Sequence, residues 1–127
     1  MKKLFLDDVR SVDSVFMNTI DPIYENKNEW DIVRSFDEFV SYIEEKGLPE
    51  FISFDHDLDF DHYKPENQQD IDYDKMEIKS GFHAAQWLVN YCSNNKLKLP
   101  NYKVHSMNIE GKINIERILE KFKTILK

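Results

Sequence analysis

Apolar residues in this chain fall into short runs that end abruptly in polar residues, separated by stretches with apolar positions three and four apart. The first run, Lys3-Leu-Phe-Leu-Asp7, reads as a strand over residues 3 to 7. A continuous apolar run of this kind suits a strand buried on both faces, as in a parallel sheet. Val9 to Met17 has weak periodicity and is expected as a loop with a helical turn. Asp21-Pro22 and the polar segment 25–29 mark a connection, after which Trp30 to Ser35 has the β-branched content of a short edge strand. Ser35 and Glu38 form a capping box, and Phe36, Phe39, Val40 and Ile43 share one face of the helix that follows. Gly47 and Pro49 end it.

The run Phe51-Ile-Ser-Phe54 is central, because it leads straight into Asp55-His56-Asp57. From Leu58 to Lys79 acidic and aromatic residues mix without a period, which predicts a flap or insertion. Ser80-Gly81 opens a helix whose Ala84, Ala85, Leu88, Tyr91 and Cys92 can face a sheet, the alanines permitting close approach. That helix ends near Asn94-Asn95. After Pro100 comes a last strand, then a turn at Glu110-Gly111, then a terminal amphipathic helix carrying Ile115, Ile118, Leu119, Phe122 and Ile125. This alternation predicts an α/β fold: a four-stranded parallel sheet with right-handed crossovers and helices on both faces.

A chain of 127 residues fits one domain, residues 1–127, with the flap at about 58–79 as part of it. A hydrophobic fraction of 41% supports a packed core, and 32% charged residues support a solvated surface. The net charge of −7 repels polyanions, so extended DNA binding is not expected. One cysteine, Cys92, excludes an internal disulfide and a thiolate metal cage. The amino terminus turns acidic too early for a secretory signal, and no run reaches the length of a membrane span. A cytoplasmic protein is the expectation.

The chemistry gathers at three strand ends. Ligands of open α/β sheets bind beyond the carboxyl ends of the strands, where Asp7, Asp8, Asp55, His56, Asp57, His105, Ser106 and Asn108 all fall. Asp7, Asp8, Asp55 and Asp57 in one crevice would repel one another unless some are protonated or a cation is bound. Oxygen ligands of this kind favour Mg²⁺, Ca²⁺ or Mn²⁺ over zinc, although an Asp-Asp pair after a strand also serves as a plain helix cap. His56 and His105 suit a general acid and base near a phosphate, or support a neighbouring carboxylate. Ser106 and Asn108 can donate to phosphate oxygens or cap the next turn. Arg10 can clamp a phosphate or pair with an acid. His62 lies in the flap without a motif, and His83 in the first turn of a helix; neither is assigned chemistry. The flap acids Asp59, Asp61, Asp70, Asp72 and Asp74 read as a solvated, lid-like run.

These motifs also carry a resemblance. Asp7-Asp8, Asp55 and Ser106 resemble the acid pair, phosphoacceptor aspartate and hydroxyl residue of response-regulator receiver domains. Leu-Asp-Asp-Val-Arg10, Ser-Phe-Asp-His-Asp57, Ser-Gly-Phe-His-Ala-Ala-Gln-Trp87 and His-Ser-Met-Asn108 are more closely similar to the receiver-like family described as cyclic-phosphate-processing. The resemblance implies a three-layer, flavodoxin-like fold with sheet order 2-1-3-4. It also implies a metal-using pocket for Mg²⁺ or Mn²⁺ and a phosphorylated partner, a nucleotide or an RNA end. One departure stands out. The chain runs from its fourth strand directly into its last helix, so the fifth strand, and the lysine that a receiver places at its end, are missing. Two function classes follow: a metal-assisted phosphoesterase acting through Asp55, His56 and His105, or a non-enzymatic receiver-like module phosphorylated at Asp55.

Overall fold

The computed structural model describes residues 2–125. The four apolar runs form strands β1 (Lys3–Leu6), β2 (Trp30–Val33), β3 (Phe51–Phe54) and β4 (Asn101–Val104). They pair in parallel in the order β2-β1-β3-β4, with Leu6 opposite both Val33 and Phe54, and Phe54 opposite Val104. This is the expected 2-1-3-4 sheet of a receiver-like, flavodoxin-like fold, and no fifth strand follows among the described residues. Helices α1 (Val12–Thr19), α2 (Phe36–Lys46), α3 (Gly81–Asn95) and α4 (Ile109–Ile125) connect and cover it. The side chain of Ile125, expected on the apolar face of the last helix, lies outside the described residues, as do Met1, Leu126 and Lys127.

Side chains alternate across a strand, so β1, buried from Leu4 to Leu6, serves two cores. Leu4 and Leu6 join Phe39, Ile43, Ile52, Phe54, Ala84, Ala85, Leu88, Ile115 and Leu119 on the face covered by α2, α3 and α4. Phe5 points the other way, into a smaller cluster with Val12 and Val15 of α1, Tyr24 and Trp30. Ala84 and Ala85 are wholly buried, in keeping with close packing of α3 on the sheet.

Two element boundaries differ from expectation, and capping explains both. Segment 9–17, read as a loop with a helical turn, holds most of α1, which runs on to Thr19. Ser11 caps it with a reciprocal bond to Ser14, and its buried face is only Val12 and Val15, too little to give a strong period. The expected turn at Glu110-Gly111 is instead the first turn of α4. There Asn108 accepts from Gly111 N at 2.9 Å through Oδ1 and from Lys112 N at 2.8 Å through its carbonyl.

The segment 58–79 is irregular, as expected, and winds through three short 3₁₀ turns, Phe60–Tyr63, Pro65–Asn67 and Tyr73–Lys75. Asp59 and Asp72 are not merely solvated: their carboxylates accept from Asp61 N and Asp74 N and start two of these turns. The segment is clasped at its ends by His62, which sequence reasoning left without a role. Leu58 N donates to His62 Nδ1 at 2.8 Å, so Nε2 carries the proton and donates to Ile78 O at 2.7 Å. His62→Ala would strand both backbone groups at a cost of about 1–3 kcal/mol. Hydrogen exchange across 58–79 should accelerate while the sheet stays protected; unchanged protection of the flap would exclude a clasp.

Candidate functional site

Parallel register brings three strand ends into one row. Because Leu6, Phe54 and Val104 are paired, the residues that follow, Asp7, Asp55 and His105, stand side by side just beyond the sheet. Bonds from Asp55 N to Leu6 O and from His105 N to Phe54 O, both 2.9 Å, carry the pairing into these positions. The three side chains are buried, with ligand atoms within 4.8 Å of one another. This buried acid and histidine cluster could hold a metal ion.

Asp7 is already saturated. Its Oδ1 accepts from Val9 N at 3.0 Å and Arg10 N at 2.8 Å, and its Oδ2 accepts from Arg10 Nε at 2.9 Å and His105 Nε2 at 3.0 Å. Burial alone would raise its pKa, but the bonds from His105, Arg10 and Val9 outweigh it and hold the carboxyl well below the usual range. An ionised Asp7 only accepts, so the His105 proton sits on Nε2. Its Nδ1 then accepts from Ser53 Oγ at 2.6 Å, and Ser53 in turn accepts from Tyr24 OH at 2.6 Å. Burial disfavours protonated His105, against the pull of Asp7. The ring also lies flat on Phe5 with centroids 4.6 Å apart. Asp7, His105 and Ser53 thus copy the order of a nucleophile triad, but Ser53 is fully buried within β3 and has no access to a substrate.

Asp55 is built differently. Its Oδ1 accepts from His56 N at 2.9 Å and from Arg10 Nη2 at 3.4 Å, while its Oδ2 is buried without a partner among the described residues. Asp8 Oδ1 is buried and unpartnered in the same way. Burial first, and then the charge of Asp7, push the Asp55 carboxyl up to about 8, against the opposing pull of Arg10. The same two causes raise Asp8. Buried polar atoms in native proteins are almost always bonded, so two unpartnered carboxylate oxygens are donors that a bound cation could use. Hard oxygen donors fit Mg²⁺ or Mn²⁺. They are a better match than the ring nitrogens of His105, both of which are in use.

A second network lies beside the first. Asp57 turns its Oδ1 to His56 Nδ1 at 2.8 Å and Asn108 Nδ2 at 3.1 Å, and its Oδ2 to Gln68 Nε2 at 3.3 Å. Burial opposes ionisation of Asp57, but these bonds outweigh it and lower its pKa. With its Nδ1 proton donated to Asp57, His56 accepts at Nε2 from Tyr73 OH, 2.8 Å away, and Tyr73 accepts from Asn114 Nδ2 at 2.9 Å. Asn108 Nδ2 also donates to Asn67 O at 2.9 Å, tying the flap to α4. His83, unassigned on sequence, caps α3 by accepting from Ser80 N at 2.9 Å and reaches Tyr73 O at 3.1 Å through Nε2.

The expected site residues therefore divide. Asp7, Asp8, Asp55 and Arg10 gather with His105, whereas Asp57, His56 and Asn108 form the flanking network and leave no free carboxylate oxygen at Asp57. Each of the two histidines is enclosed, with both nitrogens bonded. Arg10 pairs with acids, one of its two sequence alternatives. Ser106 Oγ accepts from Asn108 N at 3.1 Å and caps the turn, with its own proton still available. Sequence reasoning missed Ser53, Tyr24 and Tyr73, which carry the buried relays. A serine in the middle of an otherwise apolar strand was the one visible signal.

A family model described as cyclic-phosphate processing receiver domain matches residues 2–121 of this chain. No curated protein and no solved structure gives a significant match.

Proposed function

Because this chain belongs to the cyclic-phosphate processing receiver family, we propose that it is a metal-dependent phosphoesterase that opens a cyclic phosphate on a nucleotide or an RNA end. The observation that carries this reading is the pair of buried, unpartnered carboxylate oxygens, Asp8 Oδ1 and Asp55 Oδ2. These two residues would hold Mg²⁺ or Mn²⁺. Such an ion supplies charge neutralisation and polarisation of a phosphate oxygen. The chain's own groups do the rest. Ser106 keeps a hydroxyl proton to donate to a phosphate oxygen. Asp7 and His105 are positioning residues: they hold Arg10 and one another, and Tyr24 and Ser53 lock the His105 tautomer. His56, Asp57 and Asn108 set the loop after β3 against α4 and the flap.

One observation favours a second reading. Both site histidines are fully bonded within the protein, so neither is free to move a proton, and Asp55 Oδ2 is equally placed to become an aspartyl phosphate in a receiver-like binding module. A ³¹P NMR screen separates the two. Incubation with 2′,3′-cyclic nucleotides and Mg²⁺ or Mn²⁺ should yield linear monophosphates, and chelator should stop the reaction. Binding without turnover, or a stable acyl phosphate at Asp55, would favour the module. No turnover, no binding and no effect of any divalent ion would overturn both.

A further inference from the structure

Resting on that reading, we propose that Arg10 is the resident counter-cation of Asp55: it covers Oδ1 and leaves Oδ2 as the one oxygen of that carboxylate open to a ligand. A receiver delivers its lysine from a fifth strand, and among the described residues this sheet stops at β4. The guanidinium arrives instead from the loop after β1. Its Nε bonds Asp7 Oδ2 at 2.9 Å, and its Nη2 bonds Asp55 Oδ1 at 3.4 Å and His105 O at 3.1 Å. One planar fork thus touches all three strand ends, which a lysine ammonium on a single flexible stem would not do.

The loop is built to hold it there. Arg34, which follows β2, donates from Nη1 to Asp7 O at 3.1 Å and to Arg10 O at 2.6 Å, bracing the backbone on either side of Asp8 and Val9. Asp7 Oδ1 receives the loop amides of Val9 and Arg10, so the carboxylate that takes the Arg10 side chain also shapes its backbone. The Arg10 side chain is 23% exposed, against 0% and 3% for those of its partners Asp7 and Asp55. A charge buried to this degree acts at short range and is weakly screened. A divalent ion on Asp8 and Asp55 would share Asp55 with a fixed positive charge on its other oxygen. The site therefore keeps one charge neutralised in the metal-free state, at the cost of weaker ion binding.

Two measurements test this. Parent, Arg10→Ala, Asp55→Asn and the double variant are melted at pH 9 in chelator, where the carboxylates are ionised. Arg10→Ala should lower Tm by about 4 °C or more beyond what it does in the Asp55→Asn background. Additive shifts would overturn the proposal. Mg²⁺ titration should then show Arg10→Ala binding about tenfold tighter than the parent, because a like charge has left the site. A residue that only braced the loop would leave Mg²⁺ affinity unchanged or weaken it in Arg10→Ala, and that outcome also sinks the idea. If Arg10→Ala does not fold, Arg10→Gln, uncharged but still able to bond Asp7, replaces it in both arms with the same expectations. Non-additive melting in a parent that takes up no Mg²⁺ would keep Arg10 as the counter-cation and remove the metal from the proposed function.

Discussion

Asp55→Asn should stabilise the metal-free protein at alkaline pH and abolish the stabilisation that Mg²⁺ or Mn²⁺ gives the parent. The sign follows from linkage. Asp55 is raised from the ordinary 3.8 to about 8 in the folded state, so between these values the native protein holds a proton that the unfolded chain has released. Stability of the parent, relative to the variant, therefore falls as pH rises through that window and levels off above it. The full effect would be about 1.4 kcal/mol per pH unit; relaxation and water penetration soften it, leaving roughly 3 kcal/mol in all. Asp8, raised for the same reasons, adds a smaller change of the same sign that both proteins share. Asp7 acts oppositely, its stabilisation being lost only as pH falls below the ordinary carboxylate value. In excess metal, at about a hundred times its dissociation constant, the parent should gain about 2.7 kcal/mol and the variant little. Denaturant unfolding at pH 5, 7 and 9, with chelator and with metal, checks all of this. A pH-independent difference between the proteins, with equal metal effects, would mean that Asp55 is not the buried, raised acid of the site.

Gly81→Ala should cost at least about 3 kcal/mol and displace the loop that carries Asp55. A Cβ at Gly81 would lie 1.8 Å from Asp55 O, 2.8 Å from Asp55 C and 3.0 Å from His56 Cα, all backbone atoms that no rotamer change can move aside. The closeness has a cause, because Gly81 N donates to His56 O at 2.8 Å and so ties the start of α3 to the end of β3. Gly111 is tight in another way: its Cβ would meet the His56 ring at 2.3 Å, and that ring is held at both nitrogens. Gly47 supplies the comparison. It has φ of 84° with nothing within 4 Å, so Ala there is limited to the conformational penalty of about 1 kcal/mol. Chemical denaturation should rank the losses Gly81 above Gly47, and Gly81→Ala should also weaken Mg²⁺ binding. Equal losses at the two positions would mean that α3 can back away from Asp55 freely.

Such contacts explain why a small sheet can hold so polar a row. Six groups, counting Asp7, Asp8, Asp55, Arg10, His105 and Ser53, meet where three strands end, and most of their bonding capacity is satisfied by the protein itself. Among the described residues, only Asp8 and Asp55 keep buried oxygens to offer. Function on this reading is concentrated in two carboxylates, and the surrounding polar residues keep them in place.

The architecture was legible from the chain because it rests on local signals. Apolar runs too short for helices and without alternation meant buried parallel strands. The Ser35 cap, although Glu38 turns its carboxylate to Arg34 N rather than closing a capping box, the Gly47-Pro49 stop and the Ser80-Gly81 start bracketed helices correctly, and strand alternation with helices left one right-handed topology. Where the local signal was unusual, at the Ser11–Ser14 box and at an Asn108 cap followed by glycine, the boundaries slipped. Position at a strand end was likewise readable, so Asp7, Asp8, Asp55 and His105 could be gathered into one site without coordinates. Tertiary structure alone decided what each of them does there, because that depends on which partners reach each atom. The register of three strands adds His105 to the loop bonds that Asp7 receives from Val9 and Arg10, completing its partners, and leaves Asp55 Oδ2 bare. Ser53, inside an apolar run, and Tyr24, in a connecting turn, become partners of His105 only through packing across the sheet. Asp57 is turned to His56 by the approach of α4 at Gly111. Hydrogen-bond satisfaction between residues 52 and 98 positions apart has no local trace in a sequence, and it is what separates the ligand carboxylates from the supporting ones.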